Sequence, residues 1–182
     1  MSAGAATGPL PDRALVRAEA DRLVRLGVSV IPIEPGGKEP AIVGHDALGQ
    51  PIRFAWGPYA DRIADASERY EWFEVKGWQI GITTGPASST PAGHLVILDY
   101  DGAGGFEAHA AVYPILRTLP RVRTGSGKVH LWLRSPRPVK KHDTTAPDGS
   151  RLEVRAGRHY CVAPPSIHPC GDAYAWEVSP WR

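Results

Sequence analysis

Cysteine and methionine are scarce in this chain of 182 residues, which contains two cysteines and one methionine. Two cysteines, Cys161 and Cys170, are too few for a disulfide framework, so we expect the protein to work in a reducing cytoplasm. No apolar run approaches the ~20 residues that a membrane-spanning helix needs, and no signal sequence opens the chain. The sequence therefore predicts a globular domain with no membrane partner.

A large excess of charge is also missing, because the net charge is only +2. The charges are nevertheless distributed unevenly. Residues 117–158 contain eleven lysines and arginines and three acids, a net of +8, whereas residues 1–116 contain nine basic and fourteen acidic residues, a net of −5. A basic region of this kind is what a nucleic-acid backbone attracts, although a solvated surface with scattered arginines is the simpler alternative.

Two aspartates, Asp99 and Asp101, follow directly on the apolar run 95–98. Residues i and i+2 of a strand point to the same face, so the two carboxylates would project together. Like charges held this close repel each other, and a cation between them removes the repulsion. Carboxylate oxygens are the ligands that suit Mg²⁺ or Mn²⁺, so the pair predicts a divalent-metal site.

Residues 129–134 alternate strictly between apolar and other side chains, as a half-buried strand does. The face opposite the aliphatic residues includes His130 and Arg134. A Gly-Ser-Gly turn comes just before this segment and ends at Lys128. The backbone N–H groups of such a turn, together with the lysine, can contact an anion.

Residues 151–155 alternate in the same way and place Glu153 and Arg155 on one face. Three predicted strands would then each bury an apolar face and present polar side chains on the other. Glu153 would add a third carboxylate to Asp99 and Asp101, and Arg155 would add a donor for phosphate.

With these motifs in this order, the chain resembles the catalytic domain of the bifunctional DNA primase/polymerases, in the archaeo-eukaryotic primase superfamily. That superfamily has an Asp-x-Asp motif, a Ser-x-His-type motif and a third acidic residue on a later strand. Here the first motif falls on Asp99 and Asp101, the second runs from Ser126 to His130, and the third residue is Glu153.

The surrounding segments are similar to the family as well. Residues 26–40 resemble its N-terminal segment, residues 79–85 resemble its Asn-Ile-Gly-Ile-x-Thr-Gly strand, and residues 160–169 resemble its Val-Ala-Pro-Pro-Ser run. The resemblance covers about residues 20–178. The chain departs from the family pattern in having Gln79 for the usual Asn, Lys128 for a common glycine, and Glu153 for the commoner Asp.

The resemblance implies an α+β, RRM-like primase-polymerase catalytic fold. Its central, mostly antiparallel sheet would carry helices on one face and the active site on the other. We predict a disordered tail at 1–10 and a catalytic domain at 11–182. The helices are predicted at 11–26, 61–72 and 106–116, and the strands at 28–33, 79–83, 95–101, 129–134, 152–155, 160–163 and 174–178; residues 41–60 are predicted to be irregular.

The implied activity is DNA-templated nucleotidyl transfer, by a primase, a DNA polymerase or both. The implied catalytic residues are Asp99, Asp101, His130 and Glu153, of which the three acids would hold two Mg²⁺ or Mn²⁺ ions. The residues implied to bind the dNTP or NTP are Ser126, Lys128, His130 and Arg155.

The remaining basic residues of the C-terminal half are candidates for the DNA backbone. They are Arg134, Arg137, Lys140 and Lys141, which would bind a single-stranded template or a primer–template. Relatives often carry a helicase after this domain, so a helicase domain or protein is a further expected partner. The chain is then expected to be a piece of a longer primase–helicase.

Two other functions stay open at this point. One is a replication-associated nucleic-acid-binding module that has this fold and synthesises nothing. The other, more distant, is a phosphatase of the haloacid dehalogenase type, whose first motif residues 99–102 resemble, although Ala103 stands where that family has Thr or Ser. Zinc is not expected, because Cys161 lies in an apolar strand and Cys170 in a loop.

Overall fold

The computed structural model of the protein describes residues 10–102 and 104–180. Its helical elements are α1 (Arg13–Arg25), α2 (Ala66–Arg69), a π-helical turn that continues it (Tyr70–Val75), α3 (Gly105–Val112) and 3₁₀ turns at Gly57–Ala60, Pro86–Ser88 and Pro114–Thr118. Its strands are β1 (Ser29–Ile33), β2 (Ile42–His45), β3 (Pro51–Arg53), β4 (Gln79–Thr83), β5 (Ser89–Thr90), β6 (Gly93–Tyr100), β7 (Arg121–Arg123), β8 (Val129–Ser135), β9 (His142–Thr145), β10 (Arg151–Arg155), β11 (Tyr160–Val162) and β12 (Ala175–Val178).

The strands form two main sheets and a hairpin. The large sheet has the order β12-β7-β8-β6-β10-β9, with β5 paired to β6, and the small sheet has the order β1-β4-β11. Strands β2 and β3 form the separate hairpin. All of these pairs are antiparallel. The predicted α+β fold with a mostly antiparallel sheet is therefore confirmed. The strands predicted at 28–33, 79–83 and 160–163 form a separate small sheet rather than part of the central one.

The two faces of the large sheet have different coverings. On one face, Phe106 and Ala110 of α3 pack against Tyr100, Leu131 and Leu152. This face follows from the alternation along each strand, since residues i and i+2 share a face. The opposite face of β6 carries Asp99. The helix and the candidate site thus lie on opposite faces of this sheet, as the resemblance implied.

The main core lies between the two sheets. Ile97 and Trp132 of the large sheet belong to the same buried cluster as Ile31, Ile82 and Val162 of the small sheet. Burial of this apolar surface is the main favourable term that holds the sheets together. The polar residues at the end of β6 consequently lie next to a well-packed junction of two sheets.

Helix α1 covers the small sheet with an apolar stripe of Val16, Ala20 and Leu23, all buried. Its start is fixed by Asp12, whose side chain accepts hydrogen bonds from the backbone N–H groups of the first turn. Its end is fixed by Gly27, which has a φ of +68° that favours glycine.

Some predicted boundaries are wrong. Residues 41–60 are not irregular, because they contain the hairpin β2–β3 and a 3₁₀ turn. Strands β7 and β9 were not predicted, and the second helix begins at Ala66 rather than Asp61. Of the predicted tail at 1–10, residues 1–9 lie outside the described part of the chain, and Leu10 is exposed. Within the described ranges, no helix combines the length and apolar character required to span a membrane.

Candidate active site

Asp99, His130 and Glu153 lie side by side across three neighbouring strands. In the register of the large sheet, Asp99 pairs with His130 of β8 on one side and with Glu153 of β10 on the other. All three residues are buried, with 8%, 6% and 8% of their surface exposed. Asp101 follows two residues after Asp99 and is only half-buried. The structure thus brings together the four residues that the sequence suggested as catalytic.

Arg155 contacts two of the carboxylates. Its Nε donates to Asp99 Oδ2 at 2.9 Å, and its Nη2 lies 2.8 Å from Glu153 Oε2. On the other side, His130 Nε2 lies 3.4 Å from Asp99 Oδ1. Burial alone would raise the pKa of Asp99, but His130 and Arg155 outweigh burial and hold that pKa well below its ordinary value. Asp99 is therefore an anion at neutral pH.

The remaining acids are also paired with basic side chains. Lys128 Nζ lies 2.8 Å from Asp101 Oδ1, and Arg151 Nη1 donates to Asp101 Oδ2 at 3.1 Å. Lys141 Nζ lies 3.3 Å from Glu153 Oε1. Lys128 and Arg155, which the sequence suggested as nucleotide ligands, are thus engaged with carboxylates in this structure.

A metal ion would have to compete with these basic side chains. Within residues 10–102 and 104–180, no group of three or more His, Cys, Asp or Glu is arranged so that it could hold a metal ion. The donor set of Asp99, Asp101 and Glu153 is nevertheless made of carboxylate oxygens on one face, which suits Mg²⁺ or Mn²⁺ chemically. The paired lysines and arginines supply the positive charge that these acids require. The more exposed of these basic side chains, Lys128, Lys141 and Arg151, can turn to solvent when a metal ion binds.

A cleft of about 230 Å³ opens beside Asp99 and His130 of this row, whereas Glu153 and Asp101 are not among its lining residues. The residues that line it are Lys38, Glu39, Asp99, His130, Arg155, Tyr160, Cys161, Val162 and Tyr174. Lys38, Tyr160 and Tyr174 were not predicted from the sequence to be site residues. Lys38 lies in the Gly-Gly-Lys-Glu-Pro segment that resembles the family, which was the available signal for it.

The glycine-rich turn before β8 is held by its own hydrogen bonds. The backbone N–H of Lys128 donates to Thr124 Oγ1 at 3.0 Å, and Thr124 Oγ1 lies 3.1 Å from Ser126 Oγ. Gly127 has a φ of +79°, which explains the glycine there. Gly125 leaves no room for a side chain, because a Cβ would collide with His168. Ser126 is exposed at the tip of the turn.

The four suggested DNA-binding residues have different environments. The guanidinium of Arg134 donates to the backbone carbonyls of Leu26, Ser88 and Gly93, so Arg134 ties strands and loops together. Arg137 and Lys140 are exposed, and neither side chain contacts a carboxylate among the residues that the structure describes. Lys141 lies beside Glu153. Of the four, Arg137 and Lys140 are therefore the side chains that remain available as candidates for contact with DNA.

A larger cavity of about 560 Å³ lies elsewhere, between β6, β8 and the segment that follows α1. Leu26, Val28 and Trp132 contribute to its mostly apolar lining, and its charged side chain is Arg134. Within residues 10–102 and 104–180, no Asp or Glu lines it. Because the titratable groups are gathered in the smaller cleft, we place the chemistry there.

An antiparallel sheet that presents Asp, His and Glu beside a glycine-rich turn is the kind of site that handles phosphoryl groups. The model of the family of bifunctional DNA primase/polymerase, N-terminal domains matches residues 20–182. The chain therefore belongs to this family, and its general class is that of the primase/polymerase-type nucleotidyltransferases. No curated protein matches the chain.

Proposed function

We propose that the protein is a DNA-templated nucleotidyltransferase that adds dNTPs or NTPs to a 3′-hydroxyl, as a primase, a DNA polymerase or both. The observation that carries this proposal is the row formed by Asp99, His130 and Glu153, with Asp101 beside it; Asp99 and His130 of this row line the cleft. A row of this composition has little use in a purely structural sheet, because burying three ionisable groups together is costly.

Asp99, Asp101 and Glu153 would hold two divalent ions, Mg²⁺ or Mn²⁺. Such ions, when bound, activate the attacking hydroxyl and neutralise the charge that develops on the leaving pyrophosphate. The chain's own residues prepare the site. Arg155 holds Asp99 and Glu153 close together before any ligand arrives, and the low pKa of Asp99 keeps it anionic.

The nucleotide would be bound by the turn before β8 and by His130. Ser126 is exposed at that turn, and the backbone N–H groups there can donate to phosphate oxygens. Lys128 and Arg155 would exchange a carboxylate for phosphate when a ligand enters. The protein would then catalyse mainly by positioning the substrate and stabilising charge, as in phosphoryl transfer generally.

The single-stranded template or primer–template would run along Arg137 and Lys140. Lys141 is close enough to Glu153 that it would link the DNA surface to the acidic row. Phosphate contacts of this kind give affinity without sequence specificity. We therefore expect binding that falls steeply with salt and varies little with sequence.

The deciding experiment is primer extension with a labelled primer, all four dNTPs and either Mg²⁺ or Mn²⁺. The matched variant is Asp101→Asn, which removes one charge from a half-buried position. Product from the wild type and none from the variant is the expected result. Release of inorganic phosphate without extension would instead indicate the phosphatase.

The second candidate is a replication-associated binding module of the same fold. It is favoured by one observation, namely that every acid of the row is paired with a lysine or an arginine. Such a module would bind template DNA, and neither Mg²⁺ nor Mn²⁺ would produce extension at any concentration. Metal binding measured by calorimetry separates the two, because only the enzyme needs the carboxylates to release their basic partners.

A further inference from the structure

His168 is a buried histidine whose tautomer the structure fixes. It is 8% exposed and lies in the turn that packs behind Gly125. The backbone N–H of Cys170 donates to His168 Nδ1 at 3.1 Å, and the Cys170 thiol donates to the carbonyl of Gly125. Since Nδ1 accepts, the neutral ring carries its proton on Nε2. That Nε2–H is buried and has no partner among the residues described.

Two lysines lie near this ring. Burial lowers the pKa of His168, and the charges of Lys38 and Lys128 lower it further, against a smaller opposing effect of Asp172. Lys128 is paired with Asp101. Lys38 forms no ion pair with any residue in 10–102 or 104–180, although it lines the cleft beside Glu39. Lys38, for which the described part of the chain offers no counter-ion, and the buried His168 Nε2–H, for which it offers no acceptor, thus lie in one region.

This region is continuous with the acidic row. The ring of Tyr174 lies 5.8 Å from the ring of His168 and 6.1 Å from the ring of His130, measured between centroids. Tyr174 and Lys38 both line the cleft that contains Asp99. His130 Nδ1 is a second buried imidazole nitrogen for which the described residues offer no partner. Unpaired buried polar groups are uncommon in native proteins and call for a ligand or water as partner.

We propose that Lys38 and His168 bind the polyphosphate chain of the incoming nucleotide. The proposal rests on the proposed function. It extends the nucleotide site to two segments that follow strands of the small sheet, namely the loop after β1 and the turn after β11. An anionic oxygen would accept from His168 Nε2 and pair with the ammonium of Lys38. The chemistry requires a phosphate oxygen, which a nucleoside triphosphate, free pyrophosphate or a DNA backbone could each supply.

The test compares ligands that differ in phosphate content. The Kd values of dATP, dAMP, pyrophosphate and a single-stranded oligonucleotide are measured by calorimetry for the wild type, Lys38→Gln and His168→Gln. Lys76→Gln is the matched control, because Lys76 is an exposed lysine that pairs with Glu71 outside the cleft. We expect Lys38→Gln and His168→Gln each to weaken the binding of dATP about ten-fold or more, as for loss of a charge-assisted hydrogen bond. The Kd of dAMP and all values for Lys76→Gln should stay unchanged.

Several outcomes would overturn the proposal. Equal losses of affinity for dATP and dAMP would mean that the two side chains do not contact the polyphosphate. Unchanged dATP affinity would remove them from the site, and a loss confined to the oligonucleotide would move them to the DNA surface. If His168→Gln does not fold, the Nε2–H resonance of the wild type is followed by NMR. It should shift when pyrophosphate or dATP is added, and an unmoved resonance would count against the proposal.

Failure of this proposal can be told apart from failure of the proposed function. A wild-type protein that binds dATP through Lys38 yet never extends a primer would disprove the function and leave the triphosphate site standing. A wild-type protein that extends primers while Lys38→Gln and His168→Gln keep a normal KM for dNTPs would disprove the site alone.

Discussion

Arg155 and Asp99 form a largely buried ion pair, in which Nε of the arginine lies 2.9 Å from Oδ2 of the aspartate. The same guanidinium lies 2.8 Å from Glu153 Oε2, so one cation holds two like-charged acids on adjacent strands. Without it, the two carboxylates would repel each other across the β6–β10 pair. Arg155 is thus the counter-charge that makes the acidic row compatible with a folded sheet.

We predict that Arg155→Gln destabilises the protein and that metal ions partly restore the loss. Removing one partner of a fully buried pair costs about 3–5 kcal/mol, and a side chain exposed by 29% should cost less, about 1–3 kcal/mol. Urea denaturation measures the change. Addition of Mg²⁺ or Mn²⁺ should stabilise this variant more than the wild type, because the ions then meet no competing guanidinium.

The matched control for that experiment is Arg158→Gln, which removes an exposed arginine paired with Asp61. Surface pairs contribute about 0–1 kcal/mol, so this control should change little and should show no metal effect. Equal responses of the two variants to metal would mean that Asp99 and Glu153 do not bind it.

We predict that Asp101→Asn abolishes nucleotide incorporation while the fold survives. Asp101 is half-buried, and its partners Lys128 and Arg151 can turn to solvent when it is neutralised. Primer extension and thermal melting are measured on the same sample. Near-normal extension by this variant would remove Asp101 from the metal ligands. Asp99→Asn is the less clean variant, because it leaves Arg155 and the buried His130 without their acid.

The sequence predicted the acidic row from two patterns. Asp99 follows an apolar run and precedes Asp101 by two residues, and His130 and Glu153 lie in alternating segments. Asp99, His130 and Glu153 were all assigned to faces correctly by period-two patterning. Strand β9 escaped prediction because all four of its residues are exposed, so it has no buried apolar residue to reveal a face. The hairpin β2–β3 is similarly poor in buried residues.

Contacts between distant segments could not be predicted from patterning. The pairing of Arg155 with Asp99 depends on the register between β10 and β6, which only the folded sheet defines. Lys38 reaches the cleft because the small sheet packs on the large one. Its Gly-Gly-Lys-Glu-Pro segment resembles the family, but this local pattern does not show which distant residues Lys38 meets. Arg134 was predicted to contact DNA because its sequence neighbourhood does not reveal its real partners. These are backbone carbonyls of Ser88 and Leu26, which lie far from Arg134 along the chain.

We predict that the stability contributed by Asp99 disappears in acid. Although burial alone would raise its pKa, His130 and Arg155 depress it in the folded state, whereas the unfolded value is about 3.9. A depressed carboxyl pKa stabilises the folded state fully above the unfolded pKa, and this contribution is lost as the pH falls towards the folded pKa. The difference in unfolding free energy between wild type and Asp99→Asn, measured in urea from pH 6 to pH 2, should therefore shrink below about pH 4. A difference that stays constant with pH would contradict the ion pairing.

We predict that His130→Ala weakens nucleotide binding more than template binding. His130 lies in the cleft between Asp99 and Tyr174, and it follows the turn that would bind phosphate. A hydrogen bond to a charged group contributes about 1.5–3 kcal/mol, equivalent to roughly a ten- to hundred-fold loss. The KM for dNTPs and the Kd for DNA are compared between variant and wild type. A changed Kd for DNA with an unchanged KM would mean that His130 does not contact the nucleotide.

The DNA surface is tested by replacing Arg137 and Lys140 together with Gln. Both side chains are exposed and neither contacts a carboxylate within the described residues, so each is available for a backbone phosphate. Loss of two phosphate contacts should lower the salt slope of binding to single-stranded DNA by about 1.4, because each contact contributes about 0.7. Fluorescence anisotropy titrations at several salt concentrations measure the slope, and extension at saturating DNA should be largely retained.

The control for this DNA surface is a second double variant, Lys76→Gln with Arg117→Gln. It removes the same charge from the whole protein, but both side chains are already paired with acids, Glu71 and Glu107 respectively. If phosphate contacts rather than net charge set the slope, this control should bind DNA nearly as the wild type does. Equal slopes for both double variants would assign the effect to net charge. An unchanged slope in the Arg137 and Lys140 variant would move the DNA to another basic surface, most simply the exposed arginines of α1.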